Sequence, residues 1–179
     1  MNPSNGEVAY AAGTVVVVYN SRRNRQTRYL RATQAVACAA FSPCGRYVAA
    51  GEAGRRPAVF VWSADGGGEC LGVLREHVFG VGHVGFGGGA HAALLVSLGF
   101  TMDGKLNVWD WRSGRLLAHA RLSQRVCALT VCPATGVFVT AGERHMRFWA
   151  LAEVALDAAA GCVAAPAPAP ARRPAGVPA

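Results

Sequence analysis

The hexapeptide Gly80–Gly85 has the G-x-G-x-x-G spacing that binds the pyrophosphate of dinucleotide cofactors. That chemistry needs a strand before the glycines and a helix that begins at the third glycine, because the helix amino terminus holds the phosphates. Here Phe86 and the glycine run Gly87–Gly89 follow, and such a run does not begin a helix. The internal repeats of the chain also place the hexapeptide on a strand. We therefore expect no cofactor here, and no other segment suggests one.

Three histidines in the middle of the chain, His77, His83 and His91, are the residues whose type best suits a metal ion. They are six and eight residues apart, so they do not share one helical face. No cysteine or acidic residue stands at the spacing of a zinc finger around them. The sequence predicts no metal site.

Nucleophile motifs are missing from the sequence: it contains no G-x-S-x-G, and its ten acidic residues form no paired-carboxylate motif. The six cysteines include no C-x-x-C pair, so we expect a reduced, intracellular protein. Cys38 and Cys127 fall on apolar strands, where cysteine acts as a small buried hydrophobe. We predict that the protein is not an enzyme.

The chain has a net charge of +8, and all but one (Lys105) of its 18 basic residues are arginine. Five arginines lie close together in the segment Arg22–Arg31. Our favoured interpretation is a solvated loop and a strand edge protected by charge. The alternative is docking to RNA or to an acidic protein such as a tubulin tail. Tyr29 is the one aromatic residue among these arginines, which argues against base stacking and against a nucleic-acid partner.

No segment of the sequence predicts membrane association. The longest apolar stretches, Thr14–Tyr19 and Ala92–Phe100, are far shorter than the roughly 20 residues of a membrane-spanning helix. Met1–Glu7 lacks the basic and apolar regions of a signal peptide. We expect a soluble cytoplasmic protein.

Three segments of the chain repeat one pattern, beginning at Val36, Val81 and Val126. Each has a short alternating strand, a turn of small residues, a second apolar strand that ends near a glycine, and a third strand that ends in tryptophan. These tryptophans, Trp62, Trp109 and Trp149, are 47 and 40 residues apart. A degenerate earlier copy has Tyr19 at the tryptophan position.

A period of about 40–45 residues with four strands per unit is typical of a β-propeller. We therefore predict an all-β fold of about three and a half propeller blades, buried against one another. The expected boundaries are a flexible amino terminus at 1–7, blades over 8–153, and a disordered Ala/Pro-rich tail over 154–179.

The repeat that begins at Val81 resembles a WD repeat, because its Asp103-Gly104 pair makes a turn six residues before Trp109. The resemblance implies a hydrogen-bonded network of four buried residues, which are His77, Ser97, Asp103 and Trp109. The other repeats depart from the pattern, because Arg56 and Glu143 stand where the aspartate would be. We expect those blades to depend on packing alone.

A more specific resemblance covers residues 6–153, where seven motifs occur in the order seen in one family. The motifs are 9–20 (AYAAGTVVVVYN), 41–52 (FSPCGRYVAAGE), 56–62 (RPAVFVW), 76–81 (EHVFGV), 106–111 (LNVWDW), 125–129 (RVCAL) and 138–149 (FVTAGERHMRFW). They resemble the amino-terminal propeller of the mitogen-activated protein kinase-binding WD-repeat scaffolds, which include the microcephaly-associated spindle-pole protein. A ciliary WD-repeat family with a similar start is the nearest alternative.

This resemblance implies a large non-catalytic scaffold with two propellers, which binds kinase-pathway components and associates with centrosomes or spindle poles. The family's kinase-docking elements lie in its carboxy-terminal region, so no residue here inherits that role. After Glu153 the chain departs from the family, where further blades should follow. Three and a half blades are too few to close a ring of about seven, within the usual range of propellers. The remaining blades of a longer parent chain are thus one expected partner, and a non-functional fragment, an isoform and a faulty gene model all fit.

Two polar loops are the predicted contact surface for other proteins. One lies within Gly51–Pro57 and carries Arg55 and Arg56, and the other is Glu143, Arg144 and His145. Loops on a rigid scaffold are where binding residues concentrate. We expect these two loops to lie side by side on adjacent blades.

Overall fold

The regular secondary structure in the described part of the chain consists almost entirely of short antiparallel strands. The computed structural model describes residues 1–150 and 163–164, and these contain fifteen strands, a 3₁₀ turn at Gly89–His91 and no α-helix. The strands are β1 (Val8–Ala12), β2 (Val15–Asn20), β3 (Arg25–Arg31), β4 (Val36–Phe41), β5 (Tyr47–Glu52), β6 (Val59–Ser63), β7 (Cys70–Leu74), β8 (Val81–Phe86), β9 (Leu94–Gly99), β10 (Lys105–Asp110), β11 (Arg115–Arg121), β12 (Val126–Val131), β13 (Phe138–Gly142), β14 (His145–Ala150) and β15 (Val163–Ala164).

The strands form four separate sheets in which neighbours in sequence are neighbours in space. The first sheet has three strands, β1–β3, and the others have four each: β4–β7, β8–β11 and β12–β15. All pairings within these sheets are antiparallel. The predicted all-β architecture of propeller blades is confirmed.

The repeat extends to irregularities in strand register. The first strand of each four-stranded sheet shifts register near its start, between Val36 and Cys38, between Val81 and His83, and between Val126 and Ala128. A bulge of this kind bends a strand and increases its twist. Because the shift recurs at matching positions, each sheet begins with the same local shape.

Three apolar clusters fill the spaces between consecutive sheets. The tryptophan on the third strand of each four-stranded sheet packs toward the preceding sheet, and the side chains of Trp62, Trp109 and Trp149 are almost fully buried. Close approach of neighbouring sheets requires a small residue at Gly51, where a Cβ atom would lie 2.5 Å from Cγ1 of Val81. The core therefore lies between the sheets, and the loops at the two ends of the strands face solvent.

The two ends of the chain differ from expectation in different ways. Residues 1–7 form a turn bonded to the second sheet instead of a flexible terminus, because the buried Asn2 amide donates to the Gly45 carbonyl at 3.0 Å. In the region predicted as a tail, β15 pairs with Trp149 and Ala150. The rest of that predicted tail lies outside the described residues.

Candidate functional site

A buried polar cluster joins the start of the third sheet to one of its turns. His77 lies in the linker before β8, Ser97 on β9, Asp103 in the β9–β10 turn and Trp109 on β10. The structure brings all four together: His77 Nδ1 is 2.5 Å from Asp103 Oδ2, and His77 Nε2 is 2.8 Å from Ser97 Oγ. The indole N–H of Trp109 donates to Ser97 Oγ at 2.8 Å.

The hydrogen-bond partners of His77 indicate which of its ring nitrogens carries the hydrogen. Since Ser97 Oγ accepts from the indole, its own hydroxyl hydrogen donates to Nε2, and Nδ1–H donates to Asp103. Burial lowers the pKa of His77, and the opposing effect of Asp103 does not overcome it, so the ring is neutral at pH 7. The other carboxylate oxygen of Asp103 accepts the backbone N–H of Val78 at 2.9 Å, which fixes the linker.

The order Ser97–His77–Asp103 is also that of a serine-protease triad. In such a triad the serine oxygen must be open to a substrate carbonyl. Here Ser97 is 0% exposed and its oxygen already accepts the indole N–H of Trp109. We infer that the cluster joins the linker to the turn and does no chemistry.

The second sheet achieves the same connection with Glu52, the last residue of β5. Its carboxylate accepts the backbone N–H groups of Thr33 and Gln34, the Thr33 hydroxyl, and the N–H of Ala58, at 2.6–2.9 Å. Burial alone would raise the pKa of Glu52, but these hydrogen bonds outweigh it and lower the pKa. The expectation that this blade depends on packing alone, because Arg56 replaces the aspartate, is therefore wrong.

The fourth sheet carries a smaller buried cluster. The Thr140 hydroxyl donates to His145 Nε2 at 2.8 Å and accepts the Trp149 indole N–H at 2.9 Å. The expectation that this blade depends on packing alone is therefore also wrong. His145 is buried and is the first residue of β14. The prediction that it belongs to an exposed contact loop is therefore wrong. Burial, followed by the charge of Arg147, lowers its pKa.

The other predicted contact residues are exposed, at the same end of the strands as the buried clusters. Arg55 and Arg56 occupy the β5–β6 turn, and Glu143 and Arg144 the β13–β14 turn. These turns belong to the second and fourth sheets, so the expectation that they lie on adjacent blades is wrong. The turn of the third sheet, residues 100–104, stands between them.

Loop contacts connect the turn of the second sheet to that of the third. Arg55 forms an isolated β-bridge with Phe79, and the N–H of Arg56 donates to the Val78 carbonyl at 2.9 Å. The N–H of Phe100 then donates to the Gly80 carbonyl at 3.1 Å. The N–H of Leu122, in the linker before the fourth sheet, donates to the Gly104 carbonyl at 2.7 Å. We call the surface made by these linkers and turns (residues 53–58, 75–80, 100–104, 122–125 and 143–144) the loop face.

Comparison with known proteins agrees with this architecture. The family model for the WD domain, G-beta repeat, matches residues 24–63. Over 84% of its length the chain is 39% identical to mitogen-activated protein kinase-binding protein 1 of Mus musculus. Over 88% of its length it is 40% identical to WD repeat-containing protein 62 of Sus scrofa. The chain belongs to the WD-repeat proteins. It spans 10% of the length of each of these two relatives.

A solved structure shows the same fold. A chain from a crystal structure of the mitotic checkpoint complex superposes with a TM-score of 0.72 and 17% sequence identity. The match covers 89% of this WD-repeat chain and 49% of the solved one. At this identity the likeness concerns the arrangement of strands.

The arginine-rich segment of this WD-repeat chain is divided between structural and exposed roles. Arg28 forms an ion pair of 3.1 Å with Glu7, which is buried. Burial alone would raise the pKa of Glu7, but hydrogen bonds from Asn5, Arg28 and Thr27, together with the Arg28 charge, lower it. The exposed arginines of the segment are Arg22, Arg23, Arg25 and Arg31.

The remaining candidate residues of the WD-repeat chain have simple placements. Val81–Gly85 of the glycine-rich hexapeptide lie on β8. Cys38 is mostly buried, which raises the pKa of its thiol to about 12, whereas Cys127 is exposed and not buried as predicted. Among the described residues, no three His, Cys, Asp or Glu side chains cluster as metal ligands, and no helix is long and apolar enough to cross a membrane.

Proposed function

We propose that this chain is a non-catalytic scaffold module that binds other proteins through its loop face. The observation that carries the proposal is the contrast between fixed backbone and free side chains on that face. Asp103 and Glu52 hold the linkers and turns by buried hydrogen bonds. Meanwhile Arg55, Phe79 and Arg144 extend from these loops into solvent. A pre-organised surface loses little conformational entropy on binding.

The partners we propose are components of kinase-signalling or spindle-pole and centrosome assemblies. Support comes from the motifs shared with the kinase-binding scaffolds and from the name of the murine relative, which is a kinase-binding protein. A role in cilia is the alternative within the WD-repeat proteins.

Affinity capture with the full chain, from extracts of mitotic cells, tests this proposal. We expect wild-type protein to recover kinase-pathway and spindle-pole proteins, and the Arg55→Glu/Arg144→Glu variant to recover several-fold less. Arg46→Glu is the matched control, because Arg46 is exposed at the opposite ends of the strands. Recovery equal to that of an unrelated propeller of similar charge would contradict the proposal.

A second candidate function rests on the four exposed arginines of the first sheet. They could bind an acidic surface, including RNA, through charge alone. Fluorescence anisotropy with a labelled single-stranded RNA at several salt concentrations tests this. A binder that neutralises single-strand phosphates loses about 0.7 in the logarithmic salt slope for each contact removed. Arg22→Gln/Arg23→Gln/Arg25→Gln should reduce the slope if this function is real, and an unchanged slope would exclude it.

A further inference from the structure

A groove opens on the loop face between the third and fourth sheets. It has a volume of ≈ 500 Å³. One wall is the β9–β10 turn with Phe100 and Met102, and the other is the segment Gln124–Val126 that leads into β12. Gly82 and Gly99 also line it, and a Cβ atom at these positions would contact the Phe100 ring and the Asp103 carboxylate, respectively.

The apolar wall combines a fixed aromatic ring with a free thioether. The Phe100 ring lies so close to Gly80 and Gly82 that a Cβ atom at either position would contact it. Its backbone is held by the N–H groups of Asp103 and Gly104, which donate to the Phe100 carbonyl at 2.8 and 2.9 Å. Met102 is 81% exposed. A flexible, polarisable methionine adapts to varied apolar ligands.

The groove continues into a charged shelf. A second hollow is lined by Gln124, Arg125, Glu143 and Arg144, and it shares Gln124 and Arg125 with the groove. Arg125 and Glu143 approach to 3.9 Å with side chains 68% and 74% exposed, so this ion pair contributes little and exchanges easily. Arg144 forms no ion pair with any residue in the described part of the chain.

We propose that this groove binds an extended acidic peptide segment of a partner protein, with an apolar side chain against Phe100 and Met102 and carboxylates on Arg125 and Arg144. The inference rests on the proposed scaffold function and specifies its site. Two arginines against one glutamate give the shelf a net positive charge, which complements acidic residues. Phe100 is the one Phe, Tyr or Trp side chain that lines the groove, and Met102 beside it has no ring on which a base could stack. Single-stranded RNA is bound by rings that stack successive bases, so this wall favours an apolar peptide side chain over RNA.

Selection from a displayed library of random twelve-residue peptides tests the proposal with the full chain. We expect the enriched sequences to combine apolar and acidic residues. Anisotropy titration with a labelled synthetic copy of the most enriched peptide should then show about tenfold weaker binding for Met102→Glu and for Arg125→Glu, as at interface hot spots.

Two substitutions of the same kind elsewhere are the controls. Met146 on β14 is 69% exposed, and Met146→Glu should bind as wild type, as should Arg46→Glu. Far-UV circular dichroism verifies that every variant is folded. Because Met102 and Arg125 are exposed, their replacement should leave the spectrum unchanged.

The outcomes separate the groove from the broader function. Enriched peptides that lack acidic residues, or that bind Met102→Glu and wild type equally, would overturn the groove while leaving a protein-binding module in place. Competition by single-stranded RNA that is insensitive to Met102→Glu would also overturn it. Failure to enrich any peptide, together with an empty affinity capture, would reject both proposals.

Discussion

The second and third sheets hold their linkers by different residues placed at different points of the repeat. In the third sheet, Asp103 lies in the β9–β10 turn and reaches His77 and the Val78 backbone. In the second sheet, Glu52 lies at the end of a strand and reaches the Thr33 and Gln34 backbone. In both, a buried carboxylate connects the chain segment that enters a sheet to a turn of that sheet.

The comparison shows that both sheets need a buried carboxylate to hold the linker, but that this carboxylate can occupy different positions in the repeat. A glutamate is one methylene longer than an aspartate, so it can accept the same backbone N–H groups from a position outside the turn. The carboxylate in the second sheet also needs no histidine, because backbone and hydroxyl donors alone satisfy it. A repeat that lacks the usual residues can thus still have its connection fixed.

Removal of the two carboxylates is the strongest test of this equivalence. Glu52→Ala leaves several buried donors without an acceptor, and we expect a loss of about 3 kcal/mol in the free energy of unfolding. Asp103→Ala should cost about 2–3 kcal/mol. Urea unfolding followed by tryptophan fluorescence measures both. Glu69 is exposed, so Glu69→Ala is the control. Equal stability of Glu52→Ala and Glu69→Ala would contradict the statement that Glu52 stabilises the second sheet.

Removal of a hydroxyl that accepts an indole N–H should lower the free energy of unfolding by less than removal of a carboxylate. Thr140→Val keeps the shape of the side chain but leaves the Trp149 N–H and His145 without their partner, for an expected loss of about 1–2 kcal/mol. Thr140→Ser retains the hydroxyl and serves as the control. If the valine and serine variants unfold at the same urea concentration, the cluster in the fourth sheet does not stabilise the fold.

The histidine-based clusters and Glu52 should lose their contributions to stability in different pH ranges. Because burial lowers the pKa of His77 and His145 from 6.5, the unfolded chain binds protons below that pH that the folded chain does not, so stability falls as pH drops. The Glu52 contribution persists above pH 4.5 and is lost only as pH falls through its lowered folded-state pKa.

We therefore expect urea midpoints to fall between pH 7.5 and 5.5, and less steeply in His77→Asn than in wild type. The exposed His119 gives the control His119→Asn, which should follow wild type. A wild-type midpoint that is constant over this range would contradict the assignment of neutral buried rings.

The smallest expected effect concerns the turns themselves. Arg144 has a φ of 52°, in the left-handed region where a side chain is unfavourable. Arg144→Gly should raise the free energy of unfolding by about 0.5–1 kcal/mol. Arg46 lacks a positive φ, so Arg46→Gly should not stabilise the protein. A destabilised Arg144→Gly would mean that the arginine side chain makes an important contact.

Several features of the fold follow from the sequence because they depend on local patterns. The tryptophan spacing predicts the third strand of each four-stranded sheet. The residues of the buried cluster are implied by the resemblance to a WD repeat, for which the Asp103-Gly104 turn is the local signal. Glu52 was missed because matching by position compares only the turn, six residues before tryptophan. A carboxylate at the end of the apolar strand 47–52 was the available signal, since burying a charge requires donors nearby.

The placement of His145 could also have been predicted from strand alternation. His145, Arg147 and Trp149 are alternate residues, so they share one face of β14, and the buried tryptophan places the histidine on that face too. The polar sequence around Glu143 suggested a longer loop than the chain forms. The groove, by contrast, depends on how two sheets approach each other, which no local pattern encodes.

Within residues 1–150, the apolar clusters lie between each sheet and the sheet before or after it, and this arrangement determines how the fold loses structure. Because these clusters join consecutive layers, cooperativity passes from neighbour to neighbour as in a linear array. Opening of the fourth layer would remove one cluster and leave the other two intact. Amide protons in the middle layers, each covered on both sides, should therefore exchange with solvent most slowly.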